Sequence, residues 1–198
     1  MSVLTAADVN SLFEAQGNDL IIPDGVTEIG RFAFNNASDS AKESITSVAI
    51  PDSITSIGSF SFYGASNLKS VEIPNSVTSI GLAAFKFTAL ESVVIPDSVT
   101  SIGEDAFQLS KLKSVVIGDG ITSIPESAFK ANDIETVEFG KNITSIGEDA
   151  FTGNNLTNVI IPIRAEYHND AFDSNTSIEF DTTGVVTSID AASLIEAQ

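Results

Sequence analysis

Glu104, Glu126 and Glu148 recur at intervals of 22 residues with no base at the matching places between them. Stacked on successive turns of a periodic fold, they would form a ladder of carboxylates able to face a hard cation. Calcium takes about six to eight oxygens, and no compact Asp-x-Asp cluster accompanies the ladder. Acids placed at the positive end of short turns are the plainer account. Thr27, Thr55, Thr78, Thr100, Thr122 and Thr144 form a second rank. A row of hydroxyls could order water, but the neighbouring serines do not alternate with an inward residue, so a broad T-x-T plane is missing.

His168, the single histidine, stands between Glu166 and Asp170. An imidazole–carboxylate site can be drawn there, although one imidazole in a surface turn is more often polar filler. The chain has no cysteine, which excludes disulfides, thiolate nucleophiles and thiolate metal ligands. None of the phosphate-loop, dinucleotide, zinc-protease or serine-hydrolase signatures occurs. The expectation is therefore a protein that is not an enzyme and holds neither metal nor cofactor.

Charge narrows the partners. With 27 acids against nine bases the formal net charge is −18. Such a surface repels phosphate backbones and anionic lipid, so no nucleic acid is expected, and it suits a basic partner. No apolar stretch approaches the roughly 18 residues that span a bilayer, so no membrane insertion is expected. Met1 to Thr5 lacks the basic and apolar regions of a signal peptide. For an exported protein the signal would lie outside this chain or have been removed.

The elements that would position these residues are repeats. Phe34, Phe62, Phe85, Phe107, Phe129, Phe151 and Phe172 arrive at nearly equal intervals, and from Phe85 to Phe151 the interval is 22 residues each time. A fixed period in that range marks a solenoid of stacked units, none of which buries its apolar side alone. Each unit opens with L-x-x-V-x-I, as in Leu90 to Ile95, whose Val93 and Ile95 alternate with Val94 at the strand period. Pro or Gly ends that strand, and a V-T-S-I pair of apolar positions follows. Gly103 then turns the chain, and Glu104-Asp105-Ala106-Phe107 reads as one helical or 3₁₀ turn. The first unit carries about six extra residues around Ala37 to Glu43, expected as a surface bulge.

The recurring L-x-x-V-x-I with V-T-S-I-G-x-x-A-F resembles the BspA-like class of leucine-rich repeats, over roughly Leu20 to Phe180. That resemblance implies a right-handed solenoid with a parallel β-sheet on one face and short helical or 3₁₀ turns opposite. It also implies a protein at or outside the cell surface, secreted or anchored, that adheres to host or matrix proteins. The class shares no catalytic residue, so no site is carried over.

Residues 1–17 read as an N-terminal capping helix, with Thr5 as N-cap, Asp8 in the capping-box position, Leu4 and Val9 as a hydrophobic staple, and Gly17 as the stop. Residues 18–181 read as the solenoid of seven to eight coils. Residues 182–198 stay open between a C-terminal cap and the start of a following module. Thr187 to Gln198 matches Thr5 to Gln16 at seven of 12 positions, but Val186-Thr-Ser-Ile189 equally resembles a last degenerate turn.

Outward positions of the first strand form a row of Ala49, Glu72, Val94, Val116, Glu138 and Ile160, bordered by Ser47, Ser70, Ser92, Ser114 and Thr136. An apolar strip with a polar border is how a contact face looks, while β-branched residues are also ordinary on strands. The expected partner-binding residues are Ser70, Glu72, Ser92, Val94, Ser114, Val116, Thr136 and Glu138. Lys69, Glu91, Lys113 and Glu135 alternate in charge and read as register control. The function expected is non-catalytic, adhesion-type protein binding through this sheet. The alternative is a spacer in a repetitive surface protein, self-associating end to end.

Overall fold

Each coil contributes two strands, because L-x-x-V-x-I and V-T-S-I are both extended and both must bury one side. The computed structural model describes residues 2–183. In chain order its strands are β1 (Ser2–Leu4), β2 (Asp19–Ile21), β3 (Val26–Ile29), β4 (Ser47–Ala49), β5 (Ser56–Ile57), β6 (Ser70–Glu72), β7 (Ser79–Ile80) and β8 (Ser92–Ile95). They continue as β9 (Ser101–Ile102), β10 (Ser114–Ile117), β11 (Ser123–Ile124), β12 (Thr136–Glu138), β13 (Ser145–Ile146), β14 (Asn158–Pro162), β15 (Glu166–Tyr167) and β16 (Ser177–Asp181). Even-numbered strands pair in parallel only with even ones, and odd-numbered with odd. The result is a solenoid of about eight coils carrying two ladders, where one sheet was expected.

The second ladder comes from the T-S-I segments, and their threonines stitch it. The hydroxyls of Thr55, Thr78, Thr100 and Thr144 each donate to the carbonyl of the threonine one coil earlier, at 3.2, 3.1, 3.2 and 3.0 Å. Glycine follows because there is no room for more. A Cβ on Gly103 would lie 2.3 Å from the Leu82 nitrogen, and one on Gly81 2.4 Å from that of Ser59. Pro125 occupies the same slot in the next coil. Gly103 and Gly147 donate to Ile80 and Ile124 at 2.9 Å each, whereas proline has no N–H to give. The odd ladder splits at that point, between β9 and β11.

The segment after each glycine is a run of turns, not a continuous helix. It closes i→i+3 bonds, Ala106 donating to Gly103 at 3.3 Å and Gln108 to Asp105 at 3.0 Å, and its other amides turn to the next coil. Asp105, Ser127 and Asp149 have φ of 58°, 55° and 57°, in the left-handed region. The amides of Asp105, Phe107 and Leu109 donate to the carbonyls of Glu126, Ala128 and Lys130 in the following coil, at 3.2, 2.8 and 3.1 Å. A continuous helix would close these bonds within itself. Directed along the axis, they make a further rung between coils and bring the phenylalanines into line. Neighbouring rings from Phe34 to Phe172 stack at 4.3 to 5.3 Å, close to the strand spacing of about 4.8 Å. The first six are fully buried.

Helix α1 (Ala6–Gln16) has the expected capping box, with Thr5 and Asp8 bonded reciprocally, and Gly17 at φ 77° donates to the Phe13 carbonyl. Its Val9 is fully buried on the first coil. The residues before it were not expected to be a strand, yet β1 pairs with β3 and extends the odd ladder. The insertion is likewise a helix, α2 (Asp39–Ser44), capped by Ser38, with Ala41 fully buried. A side chain taken into the core makes it part of the cap and not a bulge. Residues 184–198, including the repeated Thr187 to Gln198, lie outside the described residues.

Candidate functional site

The eight expected contact residues share one face of the even ladder. β10 aligns Ser114 and Val116 with Ser92 and Val94 of β8, and with Thr136 and Glu138 of β12. β6 aligns Ser70 and Glu72 with Ser47 and Ala49 of β4. Inward residues alternate with these, as the pleat demands. Val94 is 61% exposed, while Val116 is half-buried, less open than expected.

The face is not continuous. β6 and β8 are not hydrogen-bonded to each other, nor are β12 and β14. At both breaks the inward valine of the earlier strand is only half-covered, Val71 and Val137, whereas Val48, Val93, Val115 and Val159 are at most 3% exposed. The first opening, about 390 Å³, is lined by Val71, Glu72, Ser92, Val94 and Pro96 among others. The second, about 430 Å³, has Val137, Glu138, Asn158, Ile160 and Pro162 at the corresponding positions. Each opening thus has a glutamate on one lip and a β-branched apolar residue on the other. Phe139, where other coils carry isoleucine, packs edge-on to Phe151 at 5.5 Å beside the second.

The other candidates from sequence separate cleanly. Five of the six ranked threonine hydroxyls, all but that of Thr122 at the break, are spent inside the ladder. Glu104, Glu126 and Glu148 are exposed, and no three acids or histidines converge among the described residues. His168 is exposed too, its Nδ1 accepting from the Asp170 amide at 3.2 Å. Of the alternating row, Lys113 meets Glu91 at 3.3 Å, and Lys69 and Glu135 enter no ion pair among the described residues. Stronger links between coils lie elsewhere, Lys86 to Asp105 at 2.9 Å and Lys130 to Asp149 at 2.6 Å. The Lys130 ammonium, donating to Asp149, holds that carboxyl below its ordinary value. Lys141 does the same for Asp119.

Two ranks escaped the sequence reading. Asn132 is buried, its carbonyl oxygen accepting from the Ser110 and Leu112 amides at 2.8 and 3.1 Å and its amide donating to Phe107 and Phe129 at 2.9 Å each. Asn154, Ser110 and Thr88 hold the same slot, and their 22-residue spacing was the available signal. On the turn side, Phe32 stacks on Phe60 at 5.1 Å, and Tyr63 meets Phe87 edge-on at 5.4 Å. Phe32, Phe60 and Phe87 have φ of 60°, 56° and 61°. The first two occupy the position two before the core ring, later Ala, Asp or Ser, and Phe87 the position two after it, later Leu109, Ala131 and Gly153. A second aromatic two residues from each core phenylalanine marks them.

Eight coils of paired parallel strands around a phenylalanine column define a leucine-rich-repeat solenoid. The BspA type leucine rich repeat region matches in six copies, over residues 10–132, 39–157 and 101–195, and the chain belongs to that family. A search of the curated proteins found no match. Among solved structures, a leucine-rich repeat protein from Bacteroides ovatus is similar at 25% identity and a TM-score of 0.58, over 91% of this chain and 55% of that one. The pneumococcal vaccine antigen PcpA is similar at 21% identity and a TM-score of 0.52, over 84% of this chain and 42% of that one. The chain thus spans about half the length of each of these structures.

Proposed function

We propose that the chain is a non-catalytic protein-binding module that contacts its partner through the even-ladder face, outside the cell or at its surface. The observation that carries this reading is the exposed Val94, with the half-buried Val116 in register beside it on one face, the two bounded by Glu72 and Glu138. β-Branched side chains left in water beside openings in the sheet contribute nothing to the core, and a partner would cover them. Likeness to a vaccine antigen supports a surface location. The test is Val94→Glu with Val116→Glu, followed by retention on cells or matrix proteins. Loss of retention in a protein with unchanged melting supports the reading, and unchanged retention removes it. A second reading, a spacer joined end to end, draws on the match of Thr187–Gln198 to Thr5–Gln16. Under that reading, removing residues 182–198 abolishes end-to-end assembly and leaves retention alone.

A further inference from the structure

We propose that this face recognises an extended basic segment of the partner, in the pattern basic–any–apolar–any–basic, lying along the solenoid axis across the coils from Glu72 to Glu138. The proposal rests on the interaction-face reading and adds the chemistry and spacing of what is bound.

The outward row carries the carboxylates Glu72, Glu138 and Glu179. The first two stand three coils apart with Val94 and Val116 between them, and Glu179 accepts from the Asn158 side-chain amide at 2.7 Å. Glu72 and Glu138 are both exposed. Among the described residues neither meets a base within ion-pair distance, in contrast to Glu91, Asp105, Asp119 and Asp149, which are all engaged. Next to the row on one side runs the mixed line Lys69, Glu91, Lys113 and Glu135. Beyond its other side stand Asp97 and Asp119, the latter paired with Lys141. The two free glutamates are therefore cation-seeking points in a field that is negative overall.

Spacing selects the conformation of the partner. Hydrogen-bonded parallel strands lie about 4.8 Å apart, and the open step from β6 to β8 is wider. The three coils thus span at least roughly 14 to 15 Å, which long basic side chains bridge. An extended chain rises about 3.3 Å per residue, so residues i and i+4 stand roughly 13 Å apart and face the same side as i+2. Basic residues at i and i+4 then reach Glu72 and Glu138, and the residue at i+2 falls on the Val94 and Val116 pair. The two openings, about 390 and 430 Å³, lie beside those glutamates. Each can take the aliphatic stem of a lysine or arginine while its head meets the carboxylate. The five-residue pattern works only when extended, since in a helix its residues i and i+4 stand only about 6 Å apart along the axis.

Fluorescence anisotropy of labelled peptides tests the proposal. The probe is a Gly/Ser-flanked Lys-Ser-Val-Ser-Lys peptide, and the control is Lys-Lys-Val-Ser-Ser of identical composition. The spaced peptide is expected to bind at low salt and to weaken with added salt. Its affinity should exceed the control's by roughly fivefold or more, and Glu72→Gln or Glu138→Gln should each lower it roughly three- to fivefold. No binding, equal binding of both peptides, or indifference to the glutamine variants overturns the proposal. Failure here together with lost retention in the Val94→Glu, Val116→Glu protein sinks only the basic pattern. Unchanged retention in that protein sinks the face itself.

Discussion

The rings of Phe107 and Phe129 lie 5.3 Å apart and 2° from parallel, both fully buried. Each ring is thus the floor of the coil above and the roof of the coil below, and every coil depends on its neighbours for cover. Phe107→Ala removes a ring from the middle of the column, where the coils on either side cannot close the gap without breaking the amide rungs. The expected loss is about 3–5 kcal/mol, read from urea unfolding. A loss below about 1 kcal/mol would mean that the column is not what holds the coils together.

Asn132 satisfies four backbone groups that no water reaches. Asn132→Leu keeps the volume but strands the Ser110 and Leu112 amides and the Phe107 carbonyl, while the Phe129 carbonyl keeps its bond from Asn154 at 3.0 Å. Each abandoned buried group costs about 1–3 kcal/mol, so a loss of at least about 3 kcal/mol is expected, with faster hydrogen exchange at residues 110 and 112. Unchanged exchange at those two amides would show that their bonds to Asn132 are dispensable.

Gly103 lies against the preceding coil with no room for a side chain. Gly103→Ala sets a methyl 2.3 Å from the Leu82 nitrogen and 2.6 Å from the Gly81 carbonyl carbon, and since these are backbone atoms nothing flexible can move aside. Overpacking of this kind costs about 1–3 kcal/mol, and the lower melting temperature should be accompanied by loss of protection at Gly103. Gly17→Ala is the comparison without a clash, since a Cβ there meets open space and the cost is the backbone alone, φ 77° with ψ −135°, about 1–3 kcal/mol.

The Lys130 and Asp149 pair sets a pH dependence of definite sign. Donation from Lys130 lowers the Asp149 pKa from 3.8, so its stabilisation is present above that value and is lost as pH falls through the lower folded-state value. The same bond raises Lys130 from 10.5, so that contribution is present below 10.5 and is lost as pH rises through the higher value. Asp149→Asn should therefore be less stable than the parent near neutrality, by under about 1 kcal/mol for a solvent-screened pair. The difference should close as pH falls below 3.8 and through the lower folded-state value of Asp149, and narrow as pH rises above 10.5 and through the higher one of Lys130. A gap that persists at low pH would assign the effect to packing and not to charge.

The repeat period, the phenylalanine column, the inward and outward alternation of L-x-x-V-x-I and the capping box of Thr5 were all legible in the chain. Each is a local pattern that repeats, and stacking identical units leaves their apolar residues only one way to be covered. What residues 104–107 do was only partly legible. A Gly-Glu-Asp-Ala run is compatible with a helical turn until the next coil offers its carbonyls, and those carbonyls moved Asp105 into the left-handed region. The threonine rank and the asparagine slot were visible as spacing, but whether a hydroxyl faces water or a neighbouring backbone depends on how the coils meet.

From the sequence alone follow the stack, its register and the two rows of the outward face, because side-chain periodicity decides which residues must be buried. Tertiary structure alone decided that the face opens beside Glu72 and Glu138, that Val116 is more sheltered than Val94, and that Pro125 divides the second ladder. These depend on small departures from the mean coil, where one missing N–H or one half-covered valine shifts neighbouring backbones, and a repeat motif averages such departures away.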